Sequence, residues 1–399
     1  MRLVFVTGSL VHGGAERHSI TVMNRLVERG HDCHAVYVKN DPSQLERLRP
    51  GAGTVSCLQA QRFFDRSALA DFAAHLTALQ PDAIVAANDY AMMYASLARW
   101  LAGLSLPLLA TFHSTKLQGL REHVKMALGR CLFPAVDCLV FVSANQCRYW
   151  RRRGVWARRI EVVHNGVDAD AFAPRGFAAA GVETRRRHGI ADGDFVVGMV
   201  AVMRPEKNHA QLIDAVAALR RQGLPARALL IGDGPLRAEI DAHARGRGVA
   251  PFVTVTGFQE DVRPYVAACD AVALCSVTEA FSLAAVEAMA MGKPVVHSDV
   301  GGAREMITDG HDGYLFPVGD TEALQSCLVR LADPARARPM GANARRAAEA
   351  RFSEAAMVDR YERLLGELCA GPAPSSPQPQ PEPAWPAIDN EIETRSQST

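Results

Sequence analysis

Short apolar runs alternate with helical patterns along most of this 399-residue chain. Such alternation predicts parallel strands joined by helices that cover both faces of a sheet. The alternating set occurs twice, and a single core rarely extends over so long a chain. We therefore predict an α/β fold of two Rossmann-like domains, each with a doubly wound parallel sheet. The strands are expected at residues 3–7, 35–38, 83–87, 108–112, 138–142 and 160–163, and then at 195–202, 228–231, 252–256, 271–275, 294–296 and 314–316.

Composition narrows the classes of protein that this chain can belong to. Hydrophobic residues make up 48% and charged residues 22%, and the net charge of +1 argues against a nucleic-acid partner. No apolar run has the length of a membrane-spanning helix, and the N-terminus enters a strand without the layout of a signal peptide. The nine cysteines are scattered, several of them in apolar runs, which indicates free thiols in a reducing compartment. We expect a cytoplasmic protein.

Changes in composition along the chain suggest the domain boundaries. We place the first domain at residues 1–166, a linker at 167–190 and the second domain at 191–350. The linker is rich in Ala, Gly and Pro and is expected to be irregular. Residues 351–368 have apolar side chains at helical spacing and predict a final helix. Residues 371–399 are rich in Pro, Ser and Gln, and we expect them to be disordered.

Residues 271–313 carry the clearest chemical pattern. An apolar strand is followed by a short turn that holds Glu279, and an Ala-rich helix begins near Ser282. A helix start after a tight turn leaves unpaired amides that attract phosphate, and the small Ala280 allows a ligand to approach the backbone. Because carboxylates repel phosphate, Glu279 and Glu287 are better suited to accepting hydrogen bonds from sugar hydroxyls.

The ordered string Glu279-x7-Glu287, AMAMGKPVV, Gly301-Gly302 and Glu305 resembles the nucleotide-sugar signature of retaining glycosyltransferases of family four. That family has the GT-B architecture of two facing Rossmann-like domains, with a last helix that crosses back to the first domain. The alternative is a plain strand–helix–strand core unit with solvated acids.

The resemblance implies roles for residues of the second domain. Lys207 would reach the donor diphosphate, Glu279 the sugar hydroxyls and Glu287 the ribose. The family usually has an arginine five residues before this lysine, where this chain has Val202, so we expect Arg204 to substitute; a salt-bridged surface arginine is the alternative. Other donor-binding residues would be those of the GDGP loop, the GF loop and the turn after Glu279, namely Gly232, Gly234, Phe258, Ala280, Phe281, Ser282 and Leu283.

The first domain offers weaker candidates. Gly14 lies in a glycine pair that precedes a helix and can allow backbone approach to the donor, unless it is a simple turn glycine. Asn88 and His113 each end a predicted strand, where side chains face the crevice of an open sheet. By resemblance His113 lies beside the transferred sugar, although a lone histidine is more often structural. We expect Glu16, Arg17 and Asn88 to contact the acceptor, and surface charge is the alternative for the first two.

A basic segment runs from Arg148 to Arg159, and its arginines are interleaved with Tyr149, Trp150 and Trp156. Cationic and aromatic side chains together suit an anionic membrane surface, which predicts peripheral contact with the inner membrane face. A second basic stretch precedes it at residues 116–133. A solvated helix face is the alternative.

These residues predict an enzyme that moves a sugar from a nucleotide-diphosphate sugar to a hydroxyl of a sugar or lipid-linked acceptor, with retention of configuration. Family resemblance places it in cell-surface polysaccharide or glycolipid assembly. No cofactor and no metal are expected, since no DxD pair stands at a suitable place. A GT-B nucleotide-sugar epimerase and a non-catalytic nucleotide-sugar-binding protein stay open. A phosphorylase would need a lysine motif for pyridoxal phosphate, which we do not find.

Overall fold

Two parallel sheets carry the fold of this protein, as the sequence predicts. The structure is a computed structural model and describes residues 1–11, 13–49, 51, 53–113 and 130–371. The first sheet has seven strands and the second has six, and the described pairs of neighbouring strands are parallel. Helices pack on both faces of each sheet, so the doubly wound α/β architecture is confirmed.

The first sheet has the strand order β3-β2-β1-β4-β5-β6-β7. Its apolar strands are almost wholly buried, as expected for a parallel sheet covered on both faces. The described strands are β1 (Arg2–Thr7), β2 (Asp32–Tyr37), β3 (Val55–Cys57), β4 (Ala83–Ala87), β5 (Leu108–Phe112), β6 (Cys138–Phe141) and β7 (Ile160–Val162). The described helices are α1 (Gly14–Glu28), α2 (Arg66–Leu79), α3 (Asn88–Leu101) and α4 (Ala144–Arg151).

Strand β3 was not predicted. It has only three residues and lies at the edge of the sheet, where its side chains are half-buried. An edge strand needs no continuous apolar run, so the sequence gives little signal for it.

The second sheet has the order β10-β9-β8-β11-β12-β13. Its strands are β8 (Phe195–Val200), β9 (Ala226–Ile231), β10 (Val253–Val255), β11 (Ala271–Leu274), β12 (Val295–Ser298) and β13 (Gly313–Phe316). Its helices are α5 (Ala178–Arg187), α6 (His209–Arg221), α7 (Arg237–Gly246), α8 (Arg263–Ala268), α9 (Leu283–Ala290), α10 (Ala303–Met306), α11 (Thr321–Leu331) and α12 (Pro334–Arg351). Helix α13 (Glu354–Cys369) follows.

Strand order reverses beside β1 and β4 in the first sheet, and beside β8 and β11 in the second. Ligands of open α/β sheets bind outside the carboxyl ends of the strands at such a reversal. The loops that follow these four strands hold most of the candidate residues. The fold therefore gathers residues that are far apart in sequence at two facing sheet edges.

The expectation of an irregular linker at 167–190 is wrong in part. Helix α5 lies within that range and packs on α8 of the second domain. Gly181 makes this contact close, since a Cβ there would lie 2.9 Å from the carbonyl carbon of Ala267. A run of alanines favours a helix, and packing on α8 shields it from solvent.

Helix α13 packs on the first sheet after the chain has completed the second domain. Its buried side chains join the core of the first domain, where they meet residues of β1 and α1. The two crossings between the domains lie side by side, because the Val167 amide donates to the Phe352 carbonyl at 2.8 Å and the Glu354 amide to the Val167 carbonyl at 3.0 Å. Gly166 permits this pairing, since a Cβ there would lie 2.6 Å from Cα of Glu354. The helical side chains buried in that core are Met357, Val358, Tyr361, Leu364 and Leu365.

Some predictions fall on residues outside the described part of the chain. They concern residues 114–129, which include Ser114 and most of the first basic stretch, and the predicted disordered tail at 372–399. Within the described ranges we find no helix with the length and apolar character that crossing a bilayer requires.

We predict that Leu365→Ala lowers the free energy of unfolding by about 2–5 kcal/mol, because it removes a fully buried side chain from the core of the first domain. Urea unfolding followed by circular dichroism measures the change. Leu101→Ala is the matched control, since Leu101 is 54% exposed and its truncation should cost less than about 0.5 kcal/mol. Equal effects of the two substitutions would show that α13 does not pack on the first domain in solution.

Candidate active site

Lys207 and Glu279 meet at the carboxyl edge of the second sheet. Lys207 ends a short 3-10 turn after β8, and Glu279 lies in the turn after β11. Lys207 Nζ donates to Glu279 Oε2 at 2.5 Å, and the two side chains are 24% and 16% exposed. The two loops are also bonded through their backbones, from the Val277 amide to the Glu206 carbonyl at 2.9 Å. The structure thus brings together the cation and the carboxylate that the sequence singled out.

A pair of glycines braces the turn that carries Glu279. Gly301 has φ +56°, and a Cβ there would lie 1.7 Å from the carbonyl oxygen of Glu279. The Gly302 amide donates to the Ala280 carbonyl at 2.9 Å. No side chain fits between these backbones, so glycine at both positions fixes where the Glu279 carboxylate lies.

Helix α9 begins directly after this turn. Ser282 caps it, accepting a hydrogen bond from the Ala285 amide at 3.2 Å, and Ala280 is buried beside it. Leu283 is half-buried in the first turn. The side chain of Phe281 is buried and stacks on His164, with ring centroids 5.1 Å apart. A ligand at this helix start would therefore meet only backbone groups of Phe281.

The GDGP and GF loops pack against the loop that carries Arg204. A Cβ on Gly232 would lie 2.1 Å from the Ala201 carbonyl oxygen, and one on Gly234 would lie 2.7 Å from the Met203 carbonyl oxygen. The Gly232 amide donates to the Gly257 carbonyl at 3.1 Å. Phe258, the next residue, is 54% exposed. Gly232 and Gly234, which we predicted to line the nucleotide, thus allow the backbones of three loops to come into contact.

Arg204 lies close to a residue of the other domain. Burial raises the pKa of the Glu16 carboxyl, and its own backbone amide and the Arg204 guanidinium offset part of that rise. Gly14, two residues earlier, is exposed, and within the described residues no atom comes within 4 Å of a Cβ built there. The start of α1 therefore faces the Arg204 loop and leaves space beside its backbone.

On the first domain, Asn88 and His113 are in contact. Asn88 begins α3 with φ +66°, a left-handed conformation that asparagine tolerates, and its Oδ1 accepts a hydrogen bond from the His113 amide at 2.9 Å. Burial, and then the neighbouring His18, lower the pKa of His113 well below its usual range. Among the described residues, no partner reaches the buried Nε2 of His113.

His18 was not identified from the sequence. Its ring lies edge-on to that of His113, with centroids 4.8 Å apart, and its Nε2 lies 3.0 Å from the hydroxyl of Tyr361 on α13. Burial lowers the pKa of His18 to about 4, so the ring is neutral at physiological pH. The available signal was its spacing, since His18, Val22 and Leu26 fall on the buried face of α1.

Arg17 bonds to a residue of the second domain. Its guanidinium forms an ion pair with the carboxylate of Glu287 in the second domain. The Glu287 side chain is 5% exposed and that of Arg17 is 38% exposed. Burial raises the pKa of Glu287, and Arg17 offsets part of the rise. A residue that we assigned to the acceptor is thus bonded to one that we assigned to the donor.

Glu305, part of the resemblance, joins the domains at a second point. Its carboxylate accepts hydrogen bonds from the amides of Ala144 and Asn145 at 2.8 and 2.7 Å, and lies 2.9 Å from His164 Nε2. Burial alone would raise the pKa of Glu305, but the bonds from His164 and the two amides outweigh it and hold that pKa below its usual value. Gly302 allows the approach, since its Cβ would lie 3.1 Å from Cβ of Ser143.

The basic segment differs from the expectation in its aromatic residues. Trp150 is fully buried and packs on Phe112, with ring centroids 5.1 Å apart, so it cannot meet a membrane. Trp156 is 61% exposed. Arg159 is paired with Glu161 and Glu367. The arginines whose residues are exposed are Arg148, Arg151, Arg152, Arg153 and Arg158.

Comparison with known families assigns both halves of this chain. A family model described as "Glycosyltransferase Family 4" matches residues 12–171, and one described as "Glycosyl transferases group 1" matches residues 194–333. The chain belongs to the glycosyltransferases of family four. It resembles the lipopolysaccharide core biosynthesis glycosyltransferase LpsD of Rhizobium meliloti (strain 1021), with 28% identity over 359 residues, 88% of this chain and 95% of LpsD.

Other relatives match over a shorter span. EpsD of Bacillus subtilis (strain 168) is 30% identical over 230 residues, which are 56% of this chain and 58% of EpsD. Among solved structures, Anabaena Alr3699/HepE in complex with UDP-glucose superposes with a TM-score of 0.81 at 24% identity, covering 92% of this chain and all of HepE. That similarity concerns the fold, and the predicted GT-B architecture is confirmed.

We predict that Glu305→Ala lowers the free energy of unfolding by about 1–3 kcal/mol, because it leaves two half-buried amides and His164 without their shared acceptor. The folded-state pKa of Glu305 is lowered, so its contribution is complete above the unfolded value of 4.5 and is lost as pH falls through the folded pKa. Urea unfolding of the wild type between pH 3 and 7 should show this loss. Glu305→Gln keeps one acceptor oxygen and should show a weaker dependence on pH below about 4.5. Identical pH profiles would exclude this role of the carboxylate.

Proposed function

We propose that this glycosyltransferase transfers a sugar from a nucleotide-diphosphate sugar to an acceptor hydroxyl with retention of anomeric configuration. The observation that carries the proposal is the contact of Lys207 with Glu279 beside the capped start of α9. A cation and helix-start amides suit a diphosphate, whereas a carboxylate suits sugar hydroxyls. A nucleotide-diphosphate sugar contains both a diphosphate and sugar hydroxyls, so it would bind the cation, the amides and the carboxylate together.

The chemistry follows from where charge develops. Departure of the diphosphate leaves positive charge on the sugar and adds negative charge to the leaving phosphate. Lys207, Arg204 and the amides at the start of α9 would stabilise the phosphate charge, and this gain is largest in a site from which water is excluded. In this proposal these groups take the part that a metal would play, and no cofactor is required.

Retention would follow if the acceptor attacks from the face that the diphosphate leaves. A phosphate oxygen would then accept the proton of the acceptor hydroxyl as the new bond forms and the old bond breaks. Glu279 would orient the sugar through its hydroxyls and need not act as a covalent nucleophile. His113 is neutral at pH 7 and in this proposal would hydrogen-bond the sugar from the first domain. Closure of the domains would limit hydrolysis of the donor.

The likeness to a lipopolysaccharide core transferase supports an acceptor in cell-surface polysaccharide or glycolipid assembly. We also propose that the exposed arginines of residues 148–158 contact an anionic membrane where such an acceptor is found. This contact would place the acceptor domain against the lipid surface.

The proposal is tested with a panel of nucleotide-diphosphate sugars. A donor that binds the native protein should raise its melting temperature, and the same donor should be consumed in the presence of an acceptor. Nuclear magnetic resonance of the product gives its anomeric configuration. Conversion of the donor without an acceptor would instead identify an epimerase, and binding without turnover across an acceptor panel would identify a binding protein. An inverted product would refute retention.

We predict that Lys207→Met/Glu279→Gln changes the free energy of unfolding by less than about 1.5 kcal/mol, because the pair of charges is replaced by neutral side chains of similar volume. The rate of sugar transfer by the same double variant should fall at least about a hundredfold, because the variant lacks the lysine that would contact the donor phosphate. Urea unfolding and donor turnover measure the two effects. Arg237→Met/Asp241→Asn is the control, since that pair lies on the surface of α7 at 3.2 Å. Wild-type turnover in the Lys207/Glu279 variant would remove both residues from the site.

We predict that the protein sediments with anionic vesicles at low salt and not with neutral vesicles. Arg151→Gln/Arg152→Gln/Arg153→Gln should weaken the binding about a hundredfold, since each arginine near an anionic surface contributes about 1 kcal/mol. Arg220→Gln/Arg221→Gln, on α6 of the second domain, is the control. Absence of the wild type from the pellet at low salt would refute membrane contact.

A further inference from the structure

The ion pair between Arg17 and Glu287 joins the two domains inside the cleft. Arg17 lies in the first turns of α1, four residues after Gly13, to whose carbonyl its amide donates at 3.1 Å. Glu287 lies in the middle of α9, five residues after the Ser282 cap and thus about 7.5 Å along the helix axis. The pair therefore sits about one and a half turns from the proposed phosphate-binding helix start.

Among the described residues, no cation of the second domain forms an ion pair with the Glu287 carboxylate. The cations that lower its pKa are Arg17, Arg47 and Arg263, in decreasing order of their effect. Arg263 is engaged with Asp261 at 2.8 Å, and the structure records the ion pair of Glu287 with Arg17 alone. A carboxylate with 5% exposure stays ionised only if a cation or several N–H donors are held against it. The first domain provides that cation.

We propose that Arg17 is a positioning residue of the donor site, which keeps Glu287 ionised and oriented to accept hydrogen bonds from the ribose hydroxyls of the nucleotide. The inference rests on the proposed function. It gives the first domain a role in recognition of the donor nucleotide. It replaces the expected contact of Arg17 with the acceptor. Recognition of the ribose then requires that the two domains be apposed, so a nucleotide would favour the closed cleft.

The readout is the ratio of affinities for a ribonucleoside diphosphate and its 2′,3′-dideoxy counterpart, measured by calorimetry. Uridine and guanosine diphosphates are both used as probes, each with its dideoxy form. The diphosphate is common to both members of a pair, so its ionisation and its contacts cancel in the ratio. The ratio therefore reports only how much the ribose hydroxyls contribute to binding.

We expect the wild type to prefer the ribose form at least about tenfold, as hydrogen bonds to a charged group do. Arg17→Met should reduce this preference toward one at pH 6, because the uncompensated Glu287 carboxylate binds a proton. The preference should return partly as pH rises to 8. Arg17→Lys keeps a cation and should retain more of the preference than Arg17→Met does.

A double-mutant cycle separates this role from a direct contact with the nucleotide. If Arg17 acts through Glu287, adding Arg17→Met to Glu287→Gln changes the preference no further. Arg29→Met is the control, because Arg29 directly follows the same helix but is paired with Asp359 and Glu362 of α13. Thermal unfolding verifies that each variant is folded. If Arg17→Met does not fold, Arg17→Lys takes its place in the cycle.

An unchanged preference in folded Arg17→Met would overturn the inference, as would equal losses in the wild-type and Glu287→Gln backgrounds. These outcomes differ from failure of the proposed function, in which the wild type binds neither diphosphate and the inference fails with it.

Discussion

A carboxylate buried between two domains has to be bonded to cations or amides, because burying it alone costs several kcal/mol. Glu305 and Glu287 of the second domain meet this condition with groups of the first domain. Two fixed points, one at the start of α4 and one at the start of α1, restrict how the domains face each other.

Contacts between backbones also hold the loops that lead to Lys207 and Glu279. Gly301 lies against the Glu279 carbonyl, Gly232 against that of Ala201 and Gly234 against that of Met203. Each contact holds one loop at the end of a strand against another, and a side chain at any of these glycines would separate the two loops. The positions of Lys207 and Glu279 therefore rest on strand ends and on packed backbone, which suits a site where charge must be positioned.

Buried histidines of the first domain contact the helix that crosses back to it. His113 packs on His18, and His18 bonds to Tyr361 of the helix that crosses back. The two interdomain crossings pair with each other near Gly166. Helix α13 thus begins at the paired crossings and contacts the histidine pair through Tyr361.

Alternating apolar runs and ordered motifs determined two parallel sheets, the family and the gathering of Lys207 and Glu279 at one site, because these follow from local periodicity and from loops at the ends of neighbouring strands. The short edge strand β3 and helix α5 were missed, since their signals are weak until they pack. Tertiary structure alone decided that Arg17 belongs to Glu287 and His18 to His113. Those contacts join residues whose proximity cannot be inferred from periodicity. The docking of the domains decides which of several cations a buried carboxylate contacts.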